Sequence, residues 1–283
     1  MSFSPNSPYS SGLRVEEESA RVIPEPGSPL ISFRGIHKSF GENGENKVLI
    51  GIDLEVYQGE TMVILGRSGS GKTVLTSMLV GLNTPDAGVI TVEGVEITEF
   101  VTDTDWRNLR LRTGYLFQGS ALYDSMTVGE NVAFPMVQHT DWSEPEIERR
   151  VAEKLGQVGL AGVEPLDPTA LSGGMQRRAA LARSLALDPQ IIIYDEPTAG
   201  LDPVTGDEIS RLIRRLQEVQ EVLKVTSIVV THDLRLTQLV ADRLVLLHEG
   251  QWVFQGTYEE FLRSSHPEVR RFLHREPQGE TTP

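Results

Sequence analysis

Eight consecutive residues, Gly66-Arg67-Ser68-Gly69-Ser70-Gly71-Lys72-Thr73, have the residue types and spacing of a phosphate-binding loop. Such a loop turns backbone N–H groups inward around a β-phosphate, and the helix that follows points its positive end at the same anion. In that arrangement Lys72 reaches the β- and γ-phosphates, and the Thr73 hydroxyl is a ligand for Mg²⁺. A second set of reactive side chains closes the apolar run Ile191-Ile192-Ile193-Tyr194, which ends in Asp195-Glu196. Asp195 suits a carboxylate directed at Mg²⁺, and Glu196 is placed to polarise an attacking water. An Asp-Glu pair alone is often a solvated strand end; paired with the phosphate loop it reads as the other half of a nucleotide site. A third segment, Leu171-Ser172-Gly173-Gly174-Met175, puts a hydroxyl and two glycines at a helix start, a second cap for an anion. One nucleotide needs one cradle, so a second cap points to a site completed across a dimer. By itself, Ser-Gly-Gly is equally a plain helix cap.

These groups need elements to carry them. A short apolar strand, Thr61–Leu65, runs directly into the phosphate loop, and a helix is expected from Lys72 to about Leu82. Upstream, Leu30–Phe33 and Val48–Val56 alternate like strands around a turn over Gly41–Asn46. Val89–Val92 and Val95–Ile97, separated by Glu93-Gly94, read as a hairpin. The stretch from about Thr127 to Leu187 reads as a helical lobe inserted between two strands of a parallel sheet. Its first helix opens on a capping box, Ser143 with Glu146, and presents Ile147, Val151, Leu155 and Val158 on one face. A further helix carries Met175 to Leu187. The sheet resumes at Ile191–Tyr194 and Ser227–Val230, bridged by an amphipathic helix with Ile209, Leu212, Ile213 and Leu216. Strands alternating with helices imply an α/β fold with a mostly parallel sheet. There is no internal repeat, hence one nucleotide site per chain.

Composition narrows the partners. The 283 residues carry 26 Lys plus Arg against 40 Asp plus Glu, a formal charge of −14, and no cysteine. That balance argues against a general nucleic-acid binder, whose affinity rests on cationic contacts to phosphate. It equally disfavours docking by charge on an anionic membrane. Absence of cysteine excludes disulfides and thiolate metal sites. No apolar run approaches the roughly 18 residues needed to cross a bilayer. Met1 to Pro29, rich in Ser, Pro and Glu, lacks the apolar core of an export signal and reads as a disordered tail.

Taken together, the motifs resemble an ATP-binding cassette (ABC) ATPase over about Leu30 to Leu273. Gln118, in Tyr115-Leu116-Phe117-Gln118, is similar to that family's Q-loop glutamine. Gly200-Leu201-Asp202 is similar to its D-loop, and His232, in Val230-Thr231-His232-Asp233, to its switch histidine. The resemblance implies a P-loop NTPase of α/β class, with a mostly parallel central sheet, an antiparallel β subdomain and an inserted helical subdomain. It implies a tail over 1–29, an ATPase domain over 30–265 with the helical subdomain at about 127–187, and a C-terminal helix and tail over 266–283. ATP and Mg²⁺ are the implied cofactors. Catalysis would fall to Glu196, His232 and Lys72, with His232 on the γ-phosphate and holding Glu196 and water in register. Nucleotide contacts would come from the Gly66–Thr73 loop, Val74, Gln118, Ser172, Gly173, Gly174 and Asp202, the last at the dimer interface. Phe40 would stack on adenine; the alternative reading makes it an ordinary core residue. Thr73, Gln118 and Asp195 would serve the metal. Two copies would sandwich two ATP molecules, each between the phosphate loop of one and the Ser172 cap of the other.

Three stretches resemble a narrower group. These are the signature with Met175 where Gln is commonest, the run Phe117 to Val128, and the tail His266-Pro267-Glu268-Val269-Arg270-Arg271-Phe272-Leu273. They are similar to the ATPase subunits of Mla-type phospholipid transporters (MlaF-like, of toluene-tolerance type) and related Mce systems. That implies a homodimer at the cytoplasmic face of the inner membrane, bound to a transmembrane permease (MlaE-like). It also implies an Mce-domain substrate-binding protein (MlaD-like) and a small accessory subunit. The tail has a local account too: Thr257 and Glu260 form a capping box, and Phe261, Leu262 and Phe272 pack back on the domain. The main alternative is the ATPase of another ABC system, for an amino acid, a metal or another small solute. A soluble ABC ATPase acting on DNA or ribosomes is disfavoured by charge, and a regulatory module without turnover by the presence of Glu196.

Overall fold

The computed structural model of the chain describes residues 27–221 and 225–275. The tail expected over 1–29 and the end of the C-terminal tail lie almost wholly outside them. Two compact units emerge: Gly119–Pro189, and the residues on either side of that stretch.

The larger unit begins with β1 (Ile31–Phe40), paired antiparallel with β2 (Asn46–Val56). Irregular register between Phe33 and Ile36 absorbs Arg34-Gly35, so β1 runs well past the Phe33 end expected from alternation. Next comes β3 (Thr61–Gly66), every residue of it buried. A strand covered on both faces must read as a continuous apolar run, as this one does. It delivers the phosphate loop to α1 (Lys72–Ser77), which tightens into a 3₁₀ turn over Met78–Val80. The helix expected to reach Leu82 therefore stops early. Gly81 takes a left-handed conformation there (φ +70°), and a Cβ on it would sit 2.7 Å from the Trp106 ring. That ring belongs to a later helix and leaves no room for a side chain at this position.

The chain then forms β4 (Ala87–Val92), β5 (Val95–Glu96), α2 (Asp103–Leu111) and β6 (Thr113–Leu116). Helix α2 opens on a Thr102–Asp105 capping box, a start signal that the sequence carries with Asp in place of the usual Glu or Gln.

The smaller unit holds α3 (Val128–His139), α4 (Glu144–Gln157) and α5 (Gly173–Ser184). Ile147, Val151, Leu155 and Val158 are buried as their spacing predicts. The capping box expected at Ser143 and Glu146 is not made. Ser143 sits at the N-cap without a side-chain bond, and the Glu146 carboxylate, which would have reached back to it, is engaged by Arg149 and Arg150 one turn on. Helix α5 begins at Gly173 and ends before Leu187. Asn131, fully buried, binds Tyr123, Met126 and Thr127 carbonyls and accepts the Tyr123 N–H, pinning the loop before α3.

Back in the larger unit follow β7 (Ile191–Asp195), α6 (Pro203–Glu221), β8 (Thr226–Thr231), α7 (Leu234–Val240), β9 (Arg243–His248) and β10 (Gln251–Gly256). Helices α8 (Tyr258–Arg263) and α9 (Pro267–Arg275) close the described chain. The six-stranded sheet runs β10-β9-β3-β8-β7-β6, parallel except for β10, and the four-stranded antiparallel sheet runs β2-β1-β4-β5. One core joins both sheets, with Ile31, Phe33 and Leu54 in the same cluster as Met62, Leu75, Ile193 and Leu247. Each such side chain contributes about 1.5–3 kcal/mol on burial. Near the C-terminus the Thr257–Glu260 capping box forms, and Phe261 packs edge-on between Phe254 and Phe272. Leu262, expected to pack with them, is exposed instead; one position on from buried Phe261, it stands about 100° further round the helix.

Candidate nucleotide site

The C-terminal ends of β3, β7 and β8 lie side by side in the sheet, so the loops that follow them converge. From β3 comes the phosphate loop. Arg67, Ser68 and Gly69 are exposed, while Gly71 and Lys72 are buried. The Lys72 ammonium donates to Gly66 O at 2.8 Å and Arg67 O at 2.9 Å, and lies 3.2 Å from a Glu196 carboxylate oxygen. From β7 come Asp195, whose Oδ1 accepts from Thr73 Oγ1 at 2.9 Å, and Glu196. From β8 comes His232, its Nδ1 2.8 Å from Glu196 Oε2. Lys72, Glu196, His232, Thr73 and Asp195 thus form one cluster, which sequence spacing alone could not demonstrate.

Glu196 holds φ +47°, a left-handed conformation that costs a non-glycine residue about 1–2 kcal/mol. Its N–H donates to Val230 O and its carbonyl accepts from Ala199 N, so the turn is held from both sides. Asp233 completes the support. It caps α7 through Arg235 and Leu236 N–H groups and accepts from Thr198 Oγ1, tying the loop after β7 to the loop after β8. The sequence signal for it was an Asp before an amphipathic run.

Electrostatics separates the two carboxylates. Burial pushes Asp195 up, with the Glu196 charge adding to it and the Thr73 hydrogen bond opposing. Burial pushes Glu196 up too, but the His232 hydrogen bond and the Lys72 charge outweigh it and hold the group below its ordinary range. Glu196 is therefore ionised at neutral pH. Tyr115, not anticipated as part of the site, places its hydroxyl 3.4 Å from Asp195 Oδ2 and 3.1 Å from Thr76 Oγ1. Burial and the Asp195 charge push that phenol well up, so it keeps its proton.

The cradle fits a polyphosphate with a divalent cation. Ser70 Oγ is buried with no hydrogen-bond partner among the described residues, an orphan that a phosphate oxygen can satisfy. Thr73 and Asp195 offer adjacent hard oxygens, the donor type that Mg²⁺ takes. Gly71 is the tightest point of the loop. At φ +103°, a Cβ would lie 2.8 Å from Val48 Cγ1. Gly71→Ala is accordingly expected to cost about 2–4 kcal/mol in chemical denaturation, from backbone strain and overpacking combined. Gly69→Ala, at φ +76° with nothing within 4 Å, should cost only the backbone part, about 1 kcal/mol. Equal losses at both positions would refute this account of the loop.

The remaining expected residues fall elsewhere. Val74 packs against the core. Gln118 is exposed just past the end of β6. Phe40, at the end of β1, is 40% exposed, with the Lys38 ammonium 5.3 Å from its ring centre, and is not a core residue. Asp202 caps α6, accepting from Val204 N, Thr205 N and Thr205 Oγ1. Ser172, Gly173 and Gly174 stand at the start of α5 in the smaller unit, where Ser172 Oγ accepts from Met175 N at 3.3 Å.

Known proteins resemble this chain in sequence and fold. Residues 49–199 match the sequence family described as ABC transporter. The chain is 39% identical, over 89% of its length and 75% of the relative's, to the chloroplastic protein TRIGALACTOSYLDIACYLGLYCEROL 3 of Arabidopsis thaliana. It is 39% identical to the intermembrane phospholipid transport system ATP-binding protein MlaF of Haemophilus influenzae, over 84% of this chain and 89% of that one. A methionine import ATP-binding protein, MetN 1 of Pseudomonas putida, is 35% identical over 88% and 74% of the two chains. Among solved structures, the dimeric ATP-binding cassette MJ0796 in a post-hydrolysis state with ADP and Pi superposes with a TM-score of 0.73 at 29% identity, covering 81% of this chain and 98% of that one. A phosphate loop, a facing carboxylate pair and a histidine on adjacent parallel strands, in a chain so matched, lead to one assignment: the protein belongs to the ABC transporter family and is an ATP-hydrolysing subunit of it.

Proposed function

We propose that the chain powers lipid movement through separate membrane-spanning subunits of Mla or Mce type, at the cytoplasmic face of the inner membrane. The observation that carries this reading is the 39% identity to a phospholipid-transport ATPase along nearly the full length of both chains. A second relative at the same identity bears a lipid in its name. No described helix is long and apolar enough to cross a membrane. In this reading the transported lipid passes through partners. Those partners are an MlaE-like permease, an MlaD-like Mce-domain protein and a small accessory subunit.

In the reaction, Lys72 binds the β- and γ-phosphates, Ser70 and the loop N–H groups hold the β-phosphate, and Phe40 stacks on adenine. Thr73, Asp195 and Gln118 would hold Mg²⁺, which would neutralise charge on the phosphate oxygens. Glu196, ionised and fixed by its backbone turn, orients the attacking water and accepts its proton. His232 keeps Glu196 aligned from the open side. Ser172 with Gly173 and Gly174 closes the site on the second copy of a homodimer, and Asp202 lines the contact between copies. ATP binding thereby favours a closed pair and hydrolysis an open one, the differential affinity that coupling to a distant motion requires.

The similarity to a methionine importer supports the competing reading, an importer of a small solute. Affinity purification of the tagged chain from native membranes separates the two. A permease accompanied by an Mce-domain protein is the expected catch; a permease with a soluble solute receptor instead would sink the lipid reading.

A further inference from the structure

The two oxygens of the Asp195 carboxylate are held by donors from different elements. Thr73 Oγ1, on α1, donates to Oδ1 at 2.9 Å. Tyr115 OH, on β6, donates to Oδ2 at 3.4 Å. The phenol does not depend on that one long bond for its aim. With the phenol proton on Asp195, Thr76 Oγ1, 3.1 Å away, donates its own proton to the phenol oxygen, and Thr76 is fully buried on α1. The Tyr115 ring also stacks on Phe117, with centres 4.4 Å apart and planes at 27°. A carboxylate with one donor still turns about its Cβ–Cγ bond. With donors on both oxygens, from two elements, its plane is set. We propose that Tyr115 is a positioning residue for Asp195, setting the plane of that carboxylate for the divalent cation that accompanies the nucleotide. This rests on the reading of Asp195 as the metal-side carboxylate.

The prediction is read with Mn²⁺ as the probe, by electron paramagnetic resonance on the full chain in the presence of ADP. Removing an orienting partner of a metal ligand typically weakens metal affinity about 10–100-fold. Because the bond here is long, Tyr115→Phe is expected at the lower end, about tenfold. Affinity for ADP without metal should stay unchanged, and the metal-free melting temperature should move little, since only a hydroxyl is lost and the ring stack remains. Thr76→Val, which removes the brace but leaves the phenol, should weaken Mn²⁺ binding in the same direction by a smaller factor. It also carries the test should Tyr115→Phe not fold. Mn²⁺ affinity at the wild-type value in both variants, or an equal loss of metal-free ADP binding, overturns the proposal. Asp195→Asn tells the two levels apart. If it leaves Mn²⁺ affinity intact, the reading of Asp195 fails and the proposal with it. If it abolishes Mn²⁺ binding while Tyr115→Phe changes nothing, only the role of Tyr115 falls.

Discussion

Glu196→Gln is expected to lower ATP turnover by about 10²–10⁴-fold, the usual contribution of a positioned general base, while nucleotide binding survives. Gln has nearly the same shape and can still accept from Lys72 and meet His232 through its amide, so the contacts at 3.2 and 2.8 Å have replacements. What it cannot do is take a proton. The variant should therefore hold ATP in a closed pair of chains that does not fire. Phosphate release measures the first effect, and size-exclusion chromatography with ATP and Mg²⁺ the second. Wild-type turnover in this variant would remove Glu196 from its assigned role.

Lys72→Ala carries a double effect. Its ammonium is the one cation directed at the β- and γ-phosphates in the proposed binding mode, so affinity for ATP should fall by about 100-fold or more, as for loss of a buried charge-assisted contact. It is also the buried partner of Glu196, with the two side chains 5% and 8% exposed. Removing one member of a buried pair costs about 3–5 kcal/mol. His232 remains on the other carboxylate oxygen, so about 2–3 kcal/mol at pH 7 is expected here. The pH dependence fixes the cause. Glu196 is held below its ordinary value of 4.5, so its contribution to stability is present above that value. It is lost as pH falls through the folded-state value. The gap between wild type and Lys72→Ala in denaturant unfolding should thus be full at pH 7 and shrink below about pH 4.5. A gap that stays constant down to pH 3 would point to lost packing instead.

Much of this site was legible because its chemistry demands particular residue types in a local order. The phosphate loop spans consecutive positions, and Asp195-Glu196 ends an unbroken apolar strand; neither needs a distant partner to be noticed. Tyr115 could not be found that way. Its bond to Asp195 crosses 80 positions and depends on β6 lying beside β7, which pattern reading does not supply. Helix detail departs from the sequence reading where distant contacts enter. The helix after the phosphate loop gives way to a 3₁₀ turn and Gly81, packed beside the Trp106 ring, and at the correctly placed start of α4 two arginines take the Glu146 carboxylate that the cap was expected to use. Strand β10, Gln251–Gly256, alternates weakly and keeps no residue fully buried, so it carries no clear period. Of the described non-glycine residues with positive φ, which also include Glu93, Ala121, Asp188 and Glu249, Glu196 is the one placed where the reaction is proposed to occur.

The central position of β3 also sets a schedule for synthesis. Gly59, at its entry, is bonded to Thr226, 167 residues later in the chain, and β3 pairs with β8 and β9 alone. A ribosome adding about 5–20 residues per second needs roughly 10–30 s to deliver those partners. Throughout that interval Met62-Val63-Ile64-Leu65, all four fully buried once folded, has neither sheet neighbour available. The strand that carries the phosphate loop is thus a segment of the nascent chain that calls for a chaperone, and slowing translation after residue 66 should increase aggregation more than slowing it after residue 231.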